Sequence, residues 1–332
     1  MAAAAQVSQA TVSRALSGNE TVNPVLARRV IAASEKLGYT ANVVARALRT
    51  QQTGTVGVVV PSLSNPFFIV AVETLEGVLA RSQRSLILCS ARDSAAVEAD
   101  HISLLLARMV DGLVVIPVSQ AGSRRALKAA AKQVPVVQFD RFVPFTGTDF
   151  VGADNATGVR QMVEHVRALG SRTLAYVGAE PTNSSAAERL NSFRLLAAKG
   201  SSHLPRPEFL GTFSMQWGWE AGERLLTAGS LPDAVICGAD VIAVGLLAVL
   251  REAHVEVPRD VNMVSYDDSP MASITSPMLT SIRQPVEPMA EEAIRLLDDG
   301  AKPGQRRPRK RIFAPTLVVR ESSEAKLAFR SV

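Results

Sequence analysis

The sequence predicts an α/β protein of two doubly wound parallel-sheet lobes behind a small N-terminal all-α head. Three observations lead there. From Thr55 onward, short β-rich apolar runs alternate with longer helical stretches, roughly 25–30 residues per unit, the rhythm of βα repeats in parallel sheets. Residues 1–50 contain no such run and read as helices alone. The alternating part, about 275 residues, is too long for one sheet of strands this short, so it divides in two.

In the head, Thr11–Leu16 is a compact helical stretch, with Ser8 placed to accept a hydrogen bond from its free amides. Asn23 before Pro24 starts a further helix: asparagine caps, and proline at the first helical position loses no needed donor. That helix carries Val25, Val30, Ile31 and Leu37 at helical spacing and stops at Gly38. Two or three such helices with a basic surface have the proportions of a helix-turn-helix head. Residues 42–53, NVVARALRTQQT, form a short helix or a flexible linker; a helix this short needs a partner to form. Strands follow at VGVVV, SLILC, GLVVI and PVVQF, then at TLAYVG, DAVICG and NMVSY. Helices fall at Ile69–Arg81, Ala95–Arg108, Ser123–Ala131, Ala156–Ala168, Ala186–Ala198 and Val241–Ala253.

Composition narrows the function. A chain 47% hydrophobic and 20% charged is ordinary for a soluble globular protein. The longest apolar run, around Val241–Leu250, is too short to span a bilayer. MAAAAQVS lacks the charged segment and apolar core of a signal peptide, and Cys89 and Cys237 make no disulfide framework, so a cytoplasmic protein is expected. The net charge of +5 says little, but residues 1–50 hold six basic groups against two acids. A second basic cluster, Lys302–Arg311, contains no acid; its Arg306–Arg311 part reads as a solvated loop between lobes or as an extra contact to DNA. No phosphate loop, dinucleotide turn, zinc helix or nucleophile elbow occurs, and His101, His165, His203 and His254 lack metal-ligand spacing. No metal, cofactor or catalytic residue is predicted, and the protein is not expected to be an enzyme.

In doubly wound sheets ligands sit at the loops after the strands. Those loops hold Ser64-Asn65-Pro66-Phe67-Phe68, Asp140–Arg141, Phe213, Asp267–Asp268 and Gln284, with Arg189 on a helix nearby. Carboxylates, guanidiniums and amides beside flat aromatics suit a sugar: rings cover its C–H face and bidentate groups satisfy its hydroxyls. Taken singly, Phe67 and Phe68 also fit a core, Asp267 a helix cap and Arg189 a surface ion pair; their shared placement favours a site.

VSQATVSRAL (Val7–Leu16) resembles the turn and recognition helix of LacI/GalR-type transcriptional regulators, and LGYTANVVARALRT (Leu37–Thr50) resembles their third-helix exit and hinge. The family pattern continues in order through DNATGVRQMVEHVRALGSRTLAYVG, ERLNSF, ADVIAVGLLAVLREA, VPRDVNMVSYDD and LTSIRQP. The resemblance implies a head at 1–41, a hinge at 42–53, a first lobe from 54–152 plus 286–314 and a second from 153–285 plus 315–332. The chain would cross between lobes near Val151–Ala153, Gln284–Val286 and Ala314–Leu317.

By the same resemblance, Ser8 caps the recognition helix near a phosphate, Gln9 and Ala10 face base edges, and Thr11 and Ser13 face the backbone. Arg14 reaches the major groove, where a guanidinium pairs with guanine O6 and N7. Asn42 starts a hinge helix, and Ala45 and Leu48 lie in the minor groove, where a leucine from each of two subunits kinks the duplex. The SNPFF and Asp-Arg patterns are similar to those of ribose-type periplasmic binding proteins, which share the core fold. That likeness implies hydrogen bonds to a sugar from Asn65, Asp140, Arg141, Arg189, Asp267 and Gln284, stacking by Phe68 and Phe213, and Phe67 behind or beside them.

Two positions depart from the pattern. Only MAAAA precedes the turn and Gln6 replaces its usual glycine, at a cost on the order of 1 kcal/mol for a left-handed residue bearing a Cβ; this reads as a truncated first helix whose true start lies upstream. Ala239 stands where asparagine normally precedes Asp240, implying an effector that lacks or differs at one hydroxyl. The resulting expectation is a homodimer or dimer of dimers that represses transcription at a palindromic operator, controlled by a pentose-like monosaccharide or a polyol, with no membrane partner. The alternative is a sugar-binding protein of the same core without effective DNA binding.

Overall fold

A computed structural model describes residues 1–16, 21–37, 52–198, 207–299 and 307–323. Contacts divide the chain into two units, Met1–Thr53 and Gly54–Val332.

The first unit contains α1 (Ala2–Ala5), α2 (Gln9–Leu16) and α3 (Pro24–Lys36). Ser8 Oγ accepts from Thr11 N at 3.1 Å, and Asn23 Oδ1 accepts from Val25 N at 2.8 Å, as the capping pattern predicts. Gln6 closes α1 in the left-handed region, φ 53°, and its Oε1 accepts from Arg29 at 2.8 Å. Four residues of first helix suffice to bury Ala5 against Val30 and Ala33 of α3. Gly38 and the hinge residues Asn42, Ala45 and Leu48 lie outside the described residues.

The second unit holds two six-stranded sheets. The first is built from β1 (Thr55–Val60), β2 (Ser85–Ser90), β3 (Gly112–Val115), β4 (Val136–Phe139), β5 (Asp149–Ala153) and β11 (Lys310–Phe313), in the order β11-β5-β4-β3-β1-β2. The second uses β6 (Leu174–Ala179), β7 (Glu208–Gly211), β8 (Ala234–Cys237), β9 (Asn262–Asp267), β10 (Thr280–Arg283) and β12 (Thr316–Val318), in the order β12-β10-β9-β8-β6-β7. All ladders are parallel except β10–β12, which is antiparallel. In each sheet the order reverses beside one strand, β1 or β6, and opens a crevice at the carboxyl ends.

Helices α4 (Pro66–Arg81), α5 (Ala95–Ala107) and α6 (Arg124–Ala130) cover the first sheet, with α11 (Val286–Asp298) returning to it from late in the chain. Met289, Ala293 and Leu296 of that helix pack with Val58, Leu75, Val137 and Phe139. Around the second sheet lie α7 (Asn155–Ala168), α8 (Ser184–Ala198), α9 (Met215–Thr227) and α10 (Asp240–Glu252). The contact between α9 and α10 requires glycine: a Cβ at Gly218 would lie 2.0 Å from Ile242 O, and one at Gly245 would lie 2.0 Å from Met215 O.

Every strand and helix read from the alternating texture is present, with ends shifted by a few residues at most. The sequence reading did not list β5, β10, β11, β12, α9 or α11. The basic run is corrected: Lys310 and Arg311 belong to edge strand β11 rather than to a solvated loop. Arg309 pairs with Asp149 and Asp299, and Arg311 with Glu292. Edge lysines and arginines of this kind also discourage pairing with another chain.

Candidate functional site

On the first lobe, the loop after β1 delivers Asn65, whose Oδ1 caps α4 by accepting from Phe67 N at 3.0 Å. Phe67 turns into the lobe core, while Phe68, also buried, meets it edge-on. The loop after β4 delivers Asp140, held at φ 61°, and Arg141. Arg141 Nη1 donates to Pro117 O at 3.2 Å, and its guanidinium stands 5.2 Å from the Phe68 ring centre and 5.3 Å from that of Phe213. Beneath this loop Gln138 is fully buried: its Nε2 donates to Thr148 Oγ1 (2.7 Å) and Val143 O (3.1 Å), and its Oε1 accepts from Val143 N (2.6 Å).

On the second lobe, Arg189 Nε donates to Asn155 Oδ1 and its Nη1 to Gly238 O, both at 2.8 Å. The same guanidinium lies 3.6 Å over the Tyr266 ring and 3.6 Å from Asp267 Oδ1. Gln284 Nε2 donates to Asp267 Oδ1 at 2.7 Å. Asp267 ends β9 at φ 109° and caps no helix. Asp240 accepts from Ser265, from Ser281 Oγ at 2.7 Å and from Ser269 N at 2.7 Å, so it fastens the loops that carry Asp267 and Gln284. Ala239 is fully buried in the second-lobe core.

The lobes touch across the cleft. Ser184 Oγ accepts from Phe142 N (2.7 Å), Ser185 Oγ donates to Asp140 O (2.9 Å), and Gln120 N donates to Thr182 O (3.0 Å). Burial pushes the Asp267 carboxyl up to about 8, outweighing the pull of Arg189, and pushes Asp240 up to about 6. Burial likewise raises Asp140 and lowers Arg141. Asp140 Oδ1, Arg141 Nε and Gln284 Oε1 are buried without a hydrogen-bond partner among the described residues. Unsatisfied groups of this kind are costly, about 1–3 kcal/mol each, and are the usual mark of a site that a polar ligand completes.

A cavity of ≈ 350 Å³ opens beside this cluster, lined by the expected Asn65, Phe68, Arg141 and Phe213. Asp267, Gln284 and Phe67 instead border a neighbouring cavity of ≈ 410 Å³. The sequence reading missed Ser62, Asp93, Glu180, Thr182, Asn183 and Thr212, which complete the first cavity. Asp93 could have been found by the same rule of looking just past each strand, since it follows β2 closely. No group of side chains suited to a metal ion, and no helix long and apolar enough to cross a membrane, occurs among the described residues.

In the head, Ser8, Gln9, Ala10 and Arg14 lie exposed along one short helix, and Thr11 is half-buried with its Oγ1 2.9 Å from Ser8 Oγ. The side chain of Ser13 is outside what the structure describes.

Residues 1–42 match the bacterial regulatory proteins of the lacI family, and residues 163–323 match a periplasmic binding protein-like domain. An uncharacterized HTH-type transcriptional regulator in the aml 5' region of Streptomyces limosus is 32% identical, over 97% of this chain and 93% of the relative. Among solved structures, a transcriptional regulator CelR–cellobiose complex is 30% identical with a TM-score of 0.72, covering 97% of this chain and 98% of that one. A lac repressor dimer bound to operator and the anti-inducer ONPF is 26% identical with a TM-score of 0.85, covering 97% of both. The chain belongs to the lacI family of bacterial regulatory proteins: it is a DNA-binding transcriptional repressor with an effector-binding core.

Proposed function

We propose that the protein represses transcription from a palindromic operator as a homodimer and that a sugar bound between the lobes of its core controls that binding. The observation that carries the effector reading is the trio of buried, unpartnered atoms, Asp140 Oδ1, Arg141 Nε and Gln284 Oε1, gathered beside Phe68 and Phe213 where two lobes meet. Sugar hydroxyls both donate and accept, so one ring satisfies a carboxylate, a guanidinium and an amide oxygen together. Arg189, Asp267 and Asn65 add further partners, and Phe67 backs Phe68 from the core. The protein acts by binding rather than by turnover, in the cytoplasm where its operator lies. Cleft closure and DNA affinity are reciprocally coupled, because only an effector with unequal affinity for two arrangements can switch them.

For DNA, Gln9, Ala10 and Arg14 read base edges, Ser8, Thr11 and Ser13 face phosphates, and Asn42, Ala45 and Leu48 form the minor-groove hinge. Binding to selected and scrambled duplexes tests this: Arg14→Ala removes about 1–3 kcal/mol of discrimination while non-specific binding persists. Equal loss on every sequence contradicts the assignment. For the effector, thermal shifts with sugars are expected to vanish in Arg189→Ala; full retention of sugar affinity would place the site elsewhere.

A further inference from the structure

We propose that the cavity at the mouth of the cleft is a second sugar subsite, so that the effector is a disaccharide or longer glycoside rather than a single ring. This rests on the reading of the cleft as a sugar site. The groups expected to hold the first ring, Asp140, Arg189, Asp267 and Gln284, are all buried and line none of the mouth cavity, whose inner wall is Asn65, Phe68, Arg141 and Phe213. Beyond that wall the cavity continues between the lobes. Ser62 and Asp93 face it from the first lobe, and Glu180, Thr182 and Thr212 from the second.

Its volume of ≈ 350 Å³ matches roughly a dozen waters at about 30 Å³ each. Covalently bonded atoms pack closer than separate waters, so one pyranose fits with room to spare. The lining is amphipathic in the way a second ring requires: the half-buried Phe213 offers a flat face, and hydroxyls and carboxylates surround it. The Glu180 carboxylate forms no ion pair among the described residues and is free to accept hydroxyl hydrogens. Arg92 and Asp93 hold consecutive left-handed conformations, φ 51° and 55°, a strain that presents Asp93 at this mouth. The cellobiose complex of the 30% identical regulator shows a two-ring ligand with a protein of this architecture.

Calorimetric titration of the full chain with ribose, glucose, cellobiose, maltose, lactose and trehalose decides the matter. At least one disaccharide is expected to bind about tenfold tighter than either monosaccharide, the gain from one or two added hydrogen bonds. Glu180→Ala and Thr212→Val are expected to shrink that ratio about tenfold, whereas Asp267→Asn weakens mono- and disaccharides alike. Equal or tighter binding of the monosaccharides, or a ratio untouched by both mouth variants, overturns the second subsite alone. Wild-type protein that binds none of these sugars, or sugar binding undiminished in Asp267→Asn, overturns the cleft reading and the second subsite with it.

Discussion

The two lobes share one strand order yet position their cleft residues by different means. In the first, a neutral glutamine, Gln138, bonds the loop at 143–148 that follows Asp140 and Arg141. In the second, the carboxylate of Asp240 does the equivalent work, gathering Ser265, Ser269 and Ser281 around the strand ends that carry Asp267 and Gln284. An amide satisfies its neighbours without titrating, whereas a buried carboxylate ties more donors at the cost of sensitivity to pH. The same frame thus yields one lobe with a neutral support and one with a titrating support.

Removing Asp240 is the most severe way to break this contrast. Asp240→Ala leaves two hydroxyls and an amide without their acceptor, and a loss of about 3 kcal/mol or more is expected in chemical denaturation. A loss below that of the Gln138 variant would undo the comparison. Next in size is the pH effect of Asp267. Its carboxyl holds a proton up to about pH 8 in the fold, against about 3.9 in an unfolded chain. The folded state therefore binds the proton that the unfolded state releases; this contribution is full below about pH 4 and is lost as pH rises toward about 8. The denaturation midpoint should fall across that window in the wild type and fall less in Asp267→Asn, with Asp240 leaving a residual slope up to about pH 6. An identical profile in both proteins would show that Asp267 does not titrate there. Smallest is Gln138→Leu, expected to cost about 1–3 kcal/mol with no change in the pH profile, because the amide it removes carries no titrating proton.

Much of this fold was legible because its strands are short continuous apolar runs, such as VGVVV and GLVVI, buried on both faces. The strands left out, DFVGA, TSIR and KRIF, are polar or basic at one end and gain their place only from a neighbour distant in sequence. Helix α9 was obscured by Gly218 and Gly222, which weaken a helix locally and make sense only against α10. Site residues were found by looking just past each strand and by family likeness. Neither approach exposes the Asp240 and Gln138 networks, whose partners lie 25–41 and 5–10 residues away and are joined only by folding.

The late return of α11 and β11 to the first sheet has a consequence for synthesis. Chain emerging from the ribosome can form β1 to β5, but the helix covering them and the edge strand beside β5 arrive only with residues 286–313. The first lobe made is thus among the last finished, and its apolar face waits through the translation of nearly the whole second lobe, an interval in which a chaperone is its natural cover.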